Sequence, residues 1–180
     1  MDTPKAEVQS REIAYRGRIF TVETARVRLP HGPESRLEVV RHHGSAVILP
    51  MMDADHLLLV RQYRFPVDRM LWEVPAGSLK PGEDPEQGAI RECQEEVGLI
   101  PTVVQALGCF LPTPGYCDEA MNFFRMSGLR QPDEDDPEAH QDEDEHLEVR
   151  SFSLEDVRRM VRSGEIADLK TAVALVLLDR

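Results

Sequence analysis

The chain has 180 residues, 41% hydrophobic and 30% charged, which fits one globular domain with a sizeable core and excludes fibrous and membrane classes. Lysine and arginine number 21 against 33 aspartates and glutamates, a formal net charge of −12, so nucleic acid is repelled rather than collected. A small phosphate ligand stays open, because divalent cations held by clustered carboxylates reverse the local sign.

The opening residues, MDTPKAEVQSRE, have no apolar core of the kind a secretory signal needs, and the longest apolar run, AVALVLL near the C-terminus, is too short to cross a bilayer. A cytoplasmic location is expected. Next, RIFTVETARVRL and SRLEVVRH read as two strands around the turn PHGPE, an antiparallel hairpin. Two apolar runs, SAVILPM and HLLLVRQYR, flank MDADH, and LWEVPAG leads from a short strand into a glycine-led loop. After an acidic helix, TVVQALGCFL and EAMNFFRMSGL read as strands around the loop PTPGYCD. Nine acidic residues then fall between Asp133 and Glu145 in a polar stretch that reads as a solvated loop. HLEVRSFSL is a further strand, SLEDVRRMVRSG a helix ending at Gly164, and DLKTAVALVLL a last helix. With no internal repeat and no interdomain linker, the pattern is α/β: a mixed sheet between helical layers. Cys93, Cys109 and Cys117 form no CxxC pair and are odd in number, which suits free thiols in a reducing compartment.

The stretch from Gly77 to Leu99, GSLKPGEDPEQGAIRECQEEVGL, is the most informative. Asp84, Pro85 and Gln87 supply an N-cap, a proline at the first helical position and a capping-box partner. The predicted helix runs to Val97 and stops at Gly98. At about 100° per residue, Ala89, Ile90, Cys93 and Val97 share a stripe, while Glu92, Glu95 and Glu96 share another. Spacings of three and four residues bring those three carboxylates within reach of a common point, where they repel unless cations sit among them. Such hard oxygen donors suit Mg²⁺ or Mn²⁺. Arg91 stands four residues before Glu95, so an intrahelical ion pair is its plain structural reading.

Five residues separate Gly77 from Glu83 and seven separate Glu83 from Arg91 and Glu92; Cys93, Gln94, Glu95, Glu96, Val97, Gly98 and Leu99 follow. That order resembles the signature of the Nudix hydrolases at every fixed polar and glycine position. Cys93 stands where the family usually has an aliphatic residue, a small hydrophobe in its place. The resemblance implies an α/β/α sandwich with a mixed sheet, here with an N-terminal antiparallel extension. It implies Glu92 and Glu96 as principal metal ligands, Glu95 assisting, and the backbone carbonyl of Ala76 as a further ligand. Glu83 and Arg91 would be mostly structural. Such a site cleaves a nucleoside diphosphate linked to a second group: metal ions neutralise the phosphates while a base aligns water.

The flanks are similar to the ADP-ribose pyrophosphatase branch of that family. Pro114, fifteen residues after Leu99, matches its marker proline, with Pro112 a rival for the position. VRQYRFP and WEVPAG also look like that branch and place Arg64 near the diphosphate, with an Arg64–Glu73 salt bridge able to coexist. Arg41 and Arg61 are weaker candidates for the same role, and Phe20 or Tyr15 for stacking on adenine. In the branch, a glutamate at the end of the polar loop closes over the site; Glu143 is expected as base and Glu145 as metal ligand and second catalytic candidate, beside Glu96. Residues 1–45 are read as strands serving a homodimer and the substrate site, and 46–180 as the hydrolase domain. The expected reaction is metal-dependent hydrolysis of ADP-ribose, or a close ADP-sugar, to AMP and ribose 5-phosphate. The alternatives are another nucleotide sugar such as GDP-mannose, or a sensor that binds ADP-ribose without cleaving it.

Overall fold

Three antiparallel strands open the chain: β1 (Glu7–Arg16), β2 (Phe20–Arg28) and β3 (Glu34–His42), ordered β1-β2-β3 in their sheet. The computed structural model describes residues 4–134, 136 and 147–179. On β2, Glu23, Ala25 and Val27 are buried in alternation, the period-2 pattern of a sheet with one covered face. β3 pairs with β2 without a register break, from Phe20 opposite His42 to Arg28 opposite Glu34. Among the described residues β1 pairs only with β2, with irregularities after Val8 and Ile13, and is exposed along its whole length. The sequence reading gave no strand there, because β1 has no buried side to write an alternating pattern.

These strands and Phe110–Met121 make one compact unit; Ser45–Cys109 and Asn122–Arg180 make the other. In the first, Val40 of β3 donates its N–H to the Tyr116 carbonyl at 2.7 Å and accepts from the Asp118 N–H at 3.2 Å. The loop around Pro114 is closed by Tyr116 and Cys117 N–H groups donating to the Thr113 carbonyl.

The second unit holds β4 (Ser45–Pro50), β5 (His56–Arg64), β6 (Arg69–Glu73), β7 (Ala76–Ser78), β8 (Val103–Phe110, whose last residue belongs to the first unit), β9 (Met121–Ser127, whose first residue does likewise) and β10 (Glu148–Ser153). One sheet is ordered β7-β4-β9-β8 and another β10-β5-β6. Its helices are α1 (Pro85–Glu92), α2 (Leu154–Ser163) and α3 (Leu169–Leu178). β4 is buried at all six positions, as its unbroken apolar run requires. α1 packs on β4 and β7, and its apolar stripe joins the core: Ala89 and Cys93 are buried with Ala46, Ile48, Leu79, Phe124 and Met126, and Ile90 and Val97 pack against them. α2 is capped by Ser153 and stops at Gly164 in the left-handed conformation, and α3 is capped by Asp168. No helix among the described residues is long and apolar enough to cross a membrane.

Candidate active site

Asp84 caps α1 by accepting hydrogen bonds from the N–H groups of Glu86 and Gln87 at 3.0 and 3.2 Å. Pro85 begins the helix, but the α-helical stretch ends at Glu92 and Cys93–Val97 widens into a π-turn. A π-turn shifts the angular phase of the residues within it. The helix stops where the sequence indicates: Gly98, at φ 74°, donates its N–H to Gln94.

The loop before α1 is bound to it by Arg91, which grips Glu83 with Nε at 2.9 Å and Nη2 at 3.0 Å. Arg91 Nη1 donates to Glu92 Oε1 at 2.7 Å and to Glu95 Oε2 at 2.5 Å. The ion pair with Glu95 forms, joined by two more carboxylates. The Glu83 hydrogen bonds, opposed by burial, keep the Arg91 guanidinium protonated far above its ordinary range, and the Arg91 bonds hold the Glu83 carboxyl below its own. Gly88 lets the loop close on the helix, since a Cβ there would lie 2.4 Å from Leu79 Cδ2.

Glu92 and Glu96 are 7% and 4% exposed, so two carboxylates of an acidic helix face lie inside the protein. Glu96 Oε2 accepts the Ala76 N–H at 3.1 Å, and a Cβ on Gly77 would lie 1.9 Å from the Glu92 carboxyl carbon. Both acids therefore rest on the backbone of β7. Clustered hard oxygens of this kind fit a divalent cation such as Mg²⁺ or Mn²⁺. Among the described residues no group of three or more His, Cys, Asp or Glu side chains converges to hold a metal: Arg91 spans Glu92 and Glu95, while Glu96 turns to Ala76. Burial pushes the Cys93 thiol up to about 12, and the Glu96 charge adds to it.

Arg64 ends β5 and forks onto Glu73 of β6, Nε to Oε1 at 2.9 Å and Nη2 to Oε2 at 2.7 Å. The salt bridge allowed by the sequence thus forms. Lys170 of α3 also donates to Glu73 Oε2. Burial works to raise the Glu73 carboxyl, but the Arg64 hydrogen bonds and the Lys170 charge outweigh it and hold the group below its ordinary value. Arg61 lies 5.8 Å from the Trp72 ring centroid and 3.5 Å from Glu148, beside Arg150 at 5.3 Å from the same ring. It belongs to a cation–aromatic cluster on the β10-β5-β6 sheet.

The remaining candidates lie in the first unit or outside the described residues. Arg41 is held by Glu23 and by Asp118, the latter at 2.9 Å. Phe20 and Tyr15 are exposed, their ring centroids 6.2 Å apart. Pro114 sits in the Thr113–Cys117 turn. Glu143 and Glu145 fall outside the described residues. Sequence reasoning missed Lys170, Asp168 and Thr171, whose signal was weak: one lysine in an apolar helix.

The NUDIX domain family profile matches residues 41–171. Over 170 residues the chain is 35% identical to an ADP-ribose pyrophosphatase of Bacillus subtilis (strain 168), covering 94% of this chain and 90% of that one. Over 172 residues it is 37% identical to an ADP-ribose pyrophosphatase of Mycobacterium tuberculosis (strain ATCC 25618 / H37Rv), covering 95% and 81%. Its fold superposes on the crystal structure of an ADP compounds hydrolase with a TM-score of 0.81 at 25% identity, covering 99% of this chain and 95% of that one. The chain belongs to the Nudix family, and its mixed α/β architecture is that family's fold.

Proposed function

We propose that the protein hydrolyses the diphosphate of ADP-ribose, or of a close ADP-sugar, to AMP and ribose 5-phosphate. The observation that carries this reading is the reach of the likeness: it runs over 170 and 172 residues of two ADP-ribose pyrophosphatases, far beyond the signature. The signature itself is blind to base and sugar, whereas the flanks are where substrate preference is written.

In this reading Glu92 and Glu96, with Glu95, the Ala76 carbonyl and Glu145, hold Mg²⁺ or Mn²⁺. When bound, the cation neutralises the phosphate oxygens and the leaving group. Burial of Glu92 and Glu96 against β7 supports their assignment, since a carboxylate removed from water favours a nearby cation. Arg64 binds the diphosphate through Nη1, the guanidinium nitrogen that makes no bond to Glu73. Arg41 and Arg61 are secondary phosphate candidates, Phe20 and Pro114 belong to the adenosine side, and Glu143 takes the proton from the attacking water. Glu83 and Arg91 brace the loop. The protein acts in the cytoplasm as a homodimer; the fully exposed β1, with Val8, Ile13 and Tyr15 open to solvent, supports the second copy, because an unpaired strand edge is a ready partner surface.

The test is to incubate the pure protein with Mg²⁺ and equal concentrations of ADP-ribose, ADP-glucose, GDP-mannose and 8-oxo-dGTP, and to separate the products by chromatography. Preferential release of AMP and ribose 5-phosphate is expected. Preference for another substrate would keep the metal chemistry and discard the ADP-ribose assignment; binding of ADP-ribose with no turnover would identify a sensor.

A further inference from the structure

Lys170 occupies the second position of α3, where the helix dipole disfavours a cation, and it is only 8% exposed in an otherwise apolar helix. Neither its burial nor its place in the helix explains an ammonium there. What favours it is the Glu73 carboxylate, 97 positions away in sequence and 2% exposed, to which Lys170 donates. Lys170 is itself held from behind by Asp168 Oδ1 at 3.1 Å.

The same helix end holds the residue after Glu73. Thr171 donates its hydroxyl to Asp168 at 2.6 Å and accepts the Val74 N–H at 2.9 Å. Pro75 then accepts the Ile48 N–H at 2.9 Å, and Ala76 donates to Glu96. Each of the four residues from Glu73, which ends β6, to Ala76, which begins β7, thus has its own anchor, two of the four supplied by α3. Glu73 is fixed on a rigid backbone with one oxygen shared by Lys170 and Arg64. A guanidinium gripped at Nε and Nη2 by so constrained a carboxylate has its third nitrogen aimed in a set direction.

We infer that Lys170 is a positioning residue: acting through Glu73, it fixes the direction in which Arg64 presents its remaining donors to the diphosphate. This rests on the reading of Arg64 as a diphosphate-binding group. Lys170 lies outside the Gly77–Leu99 signature and is buried against Glu73, so its contribution is to binding geometry rather than to the chemical step.

The test is a double-mutant cycle of Lys170→Met and Arg64→Ala in the full-length protein, read by KM and kcat on ADP-ribose. A second readout is calorimetric binding of an ADP-ribose analogue with a methylene-bridged diphosphate. Lys170→Met is expected to raise KM and weaken analogue binding roughly tenfold with a smaller change in kcat. Lys170→Arg should restore most of the loss. The double variant should bind no worse than Arg64→Ala alone, because the two residues act as one unit. Losses that multiply, or a KM for Lys170→Met within about twofold of wild type, would overturn the inference. Should Lys170→Met fail to fold, Asp168→Asn loosens the same ammonium and is scored by the same non-additivity. A wild type that ignores ADP-ribose but cleaves another nucleotide sugar refutes the substrate assignment alone, and the cycle is then scored on that sugar. A wild type that binds ADP-ribose but cleaves none refutes the hydrolase assignment alone, and the cycle is then scored on analogue binding; one that neither binds nor cleaves any of them refutes both.

Discussion

At Gly77 the absent side chain is what the site requires: a Cβ would lie within 2.1 Å of both Glu92 carboxylate oxygens. Gly77→Ala is therefore expected to displace Glu92 and lower kcat/KM roughly a hundredfold, measured on the best nucleotide sugar with Mg²⁺. Glu96→Gln keeps an oxygen for the Ala76 N–H but removes the charge. It should lower kcat by about two orders of magnitude or more while leaving the melting temperature near wild type. Undiminished turnover would remove Glu96 from the metal set. The cysteines differ as their surroundings do. Cys93 is buried with its thiol pushed up to about 12, whereas Cys109 is exposed. Brief alkylation of the native protein at pH 8 should modify Cys109 and spare Cys93, as peptide mass spectrometry would show; early labelling of Cys93 would contradict its burial. The signature positions were legible in sequence because each answers a local demand: Gly77 for space, Glu92 and Glu96 for charge, Gly98 for a positive φ.

At the scale of the element, α1 shows which helix signals are local. Asp84 caps it as the residues DPEQ indicate, and Asp84→Ala should cost about 1 kcal/mol, a fall of about 2–4 °C in melting temperature by calorimetry. The π-turn at Cys93–Val97 was not legible, because the same five residues continue an ideal α-helix equally well. The stripe of Ala89, Ile90, Cys93 and Val97 still reaches the core, since all four pack into one cluster. β1 escaped the sequence reading for the opposite reason: every one of its residues is exposed, so pairing with β2, not burial, makes it a strand.

At the scale of the whole molecule, the carboxylates paired with arginine set a dependence on pH. Glu73 and Glu83 have folded-state values below their ordinary 4.5. Depressed carboxyls stabilise the fold fully above the unfolded value and lose that contribution as pH falls through the lowered folded value. Melting temperature should therefore hold from neutral pH down to about 5 and decline below about 4.5. Glu73→Gln should lower it more at pH 7 than at pH 3.5, because below the ordinary 4.5 the unfolded state takes up the proton and the wild-type carboxylate's contribution shrinks. An equal loss at both would separate Glu73 from acid unfolding.

The sequence by itself determined the strands with buried faces, the helix caps and stops, and a signature specific enough to place the chain in its family. Each of those signals acts between residues a few positions apart, so it survives in the linear order. Tertiary structure decided where the charges went. Arg91 gathers Glu83, Glu92 and Glu95, Arg41 is held by Glu23 and Asp118, and Glu73 takes Arg64 from β5 and Lys170 from α3. An ion pair between residues 97 positions apart depends on the path of the whole chain, and no local periodicity or propensity encodes that path.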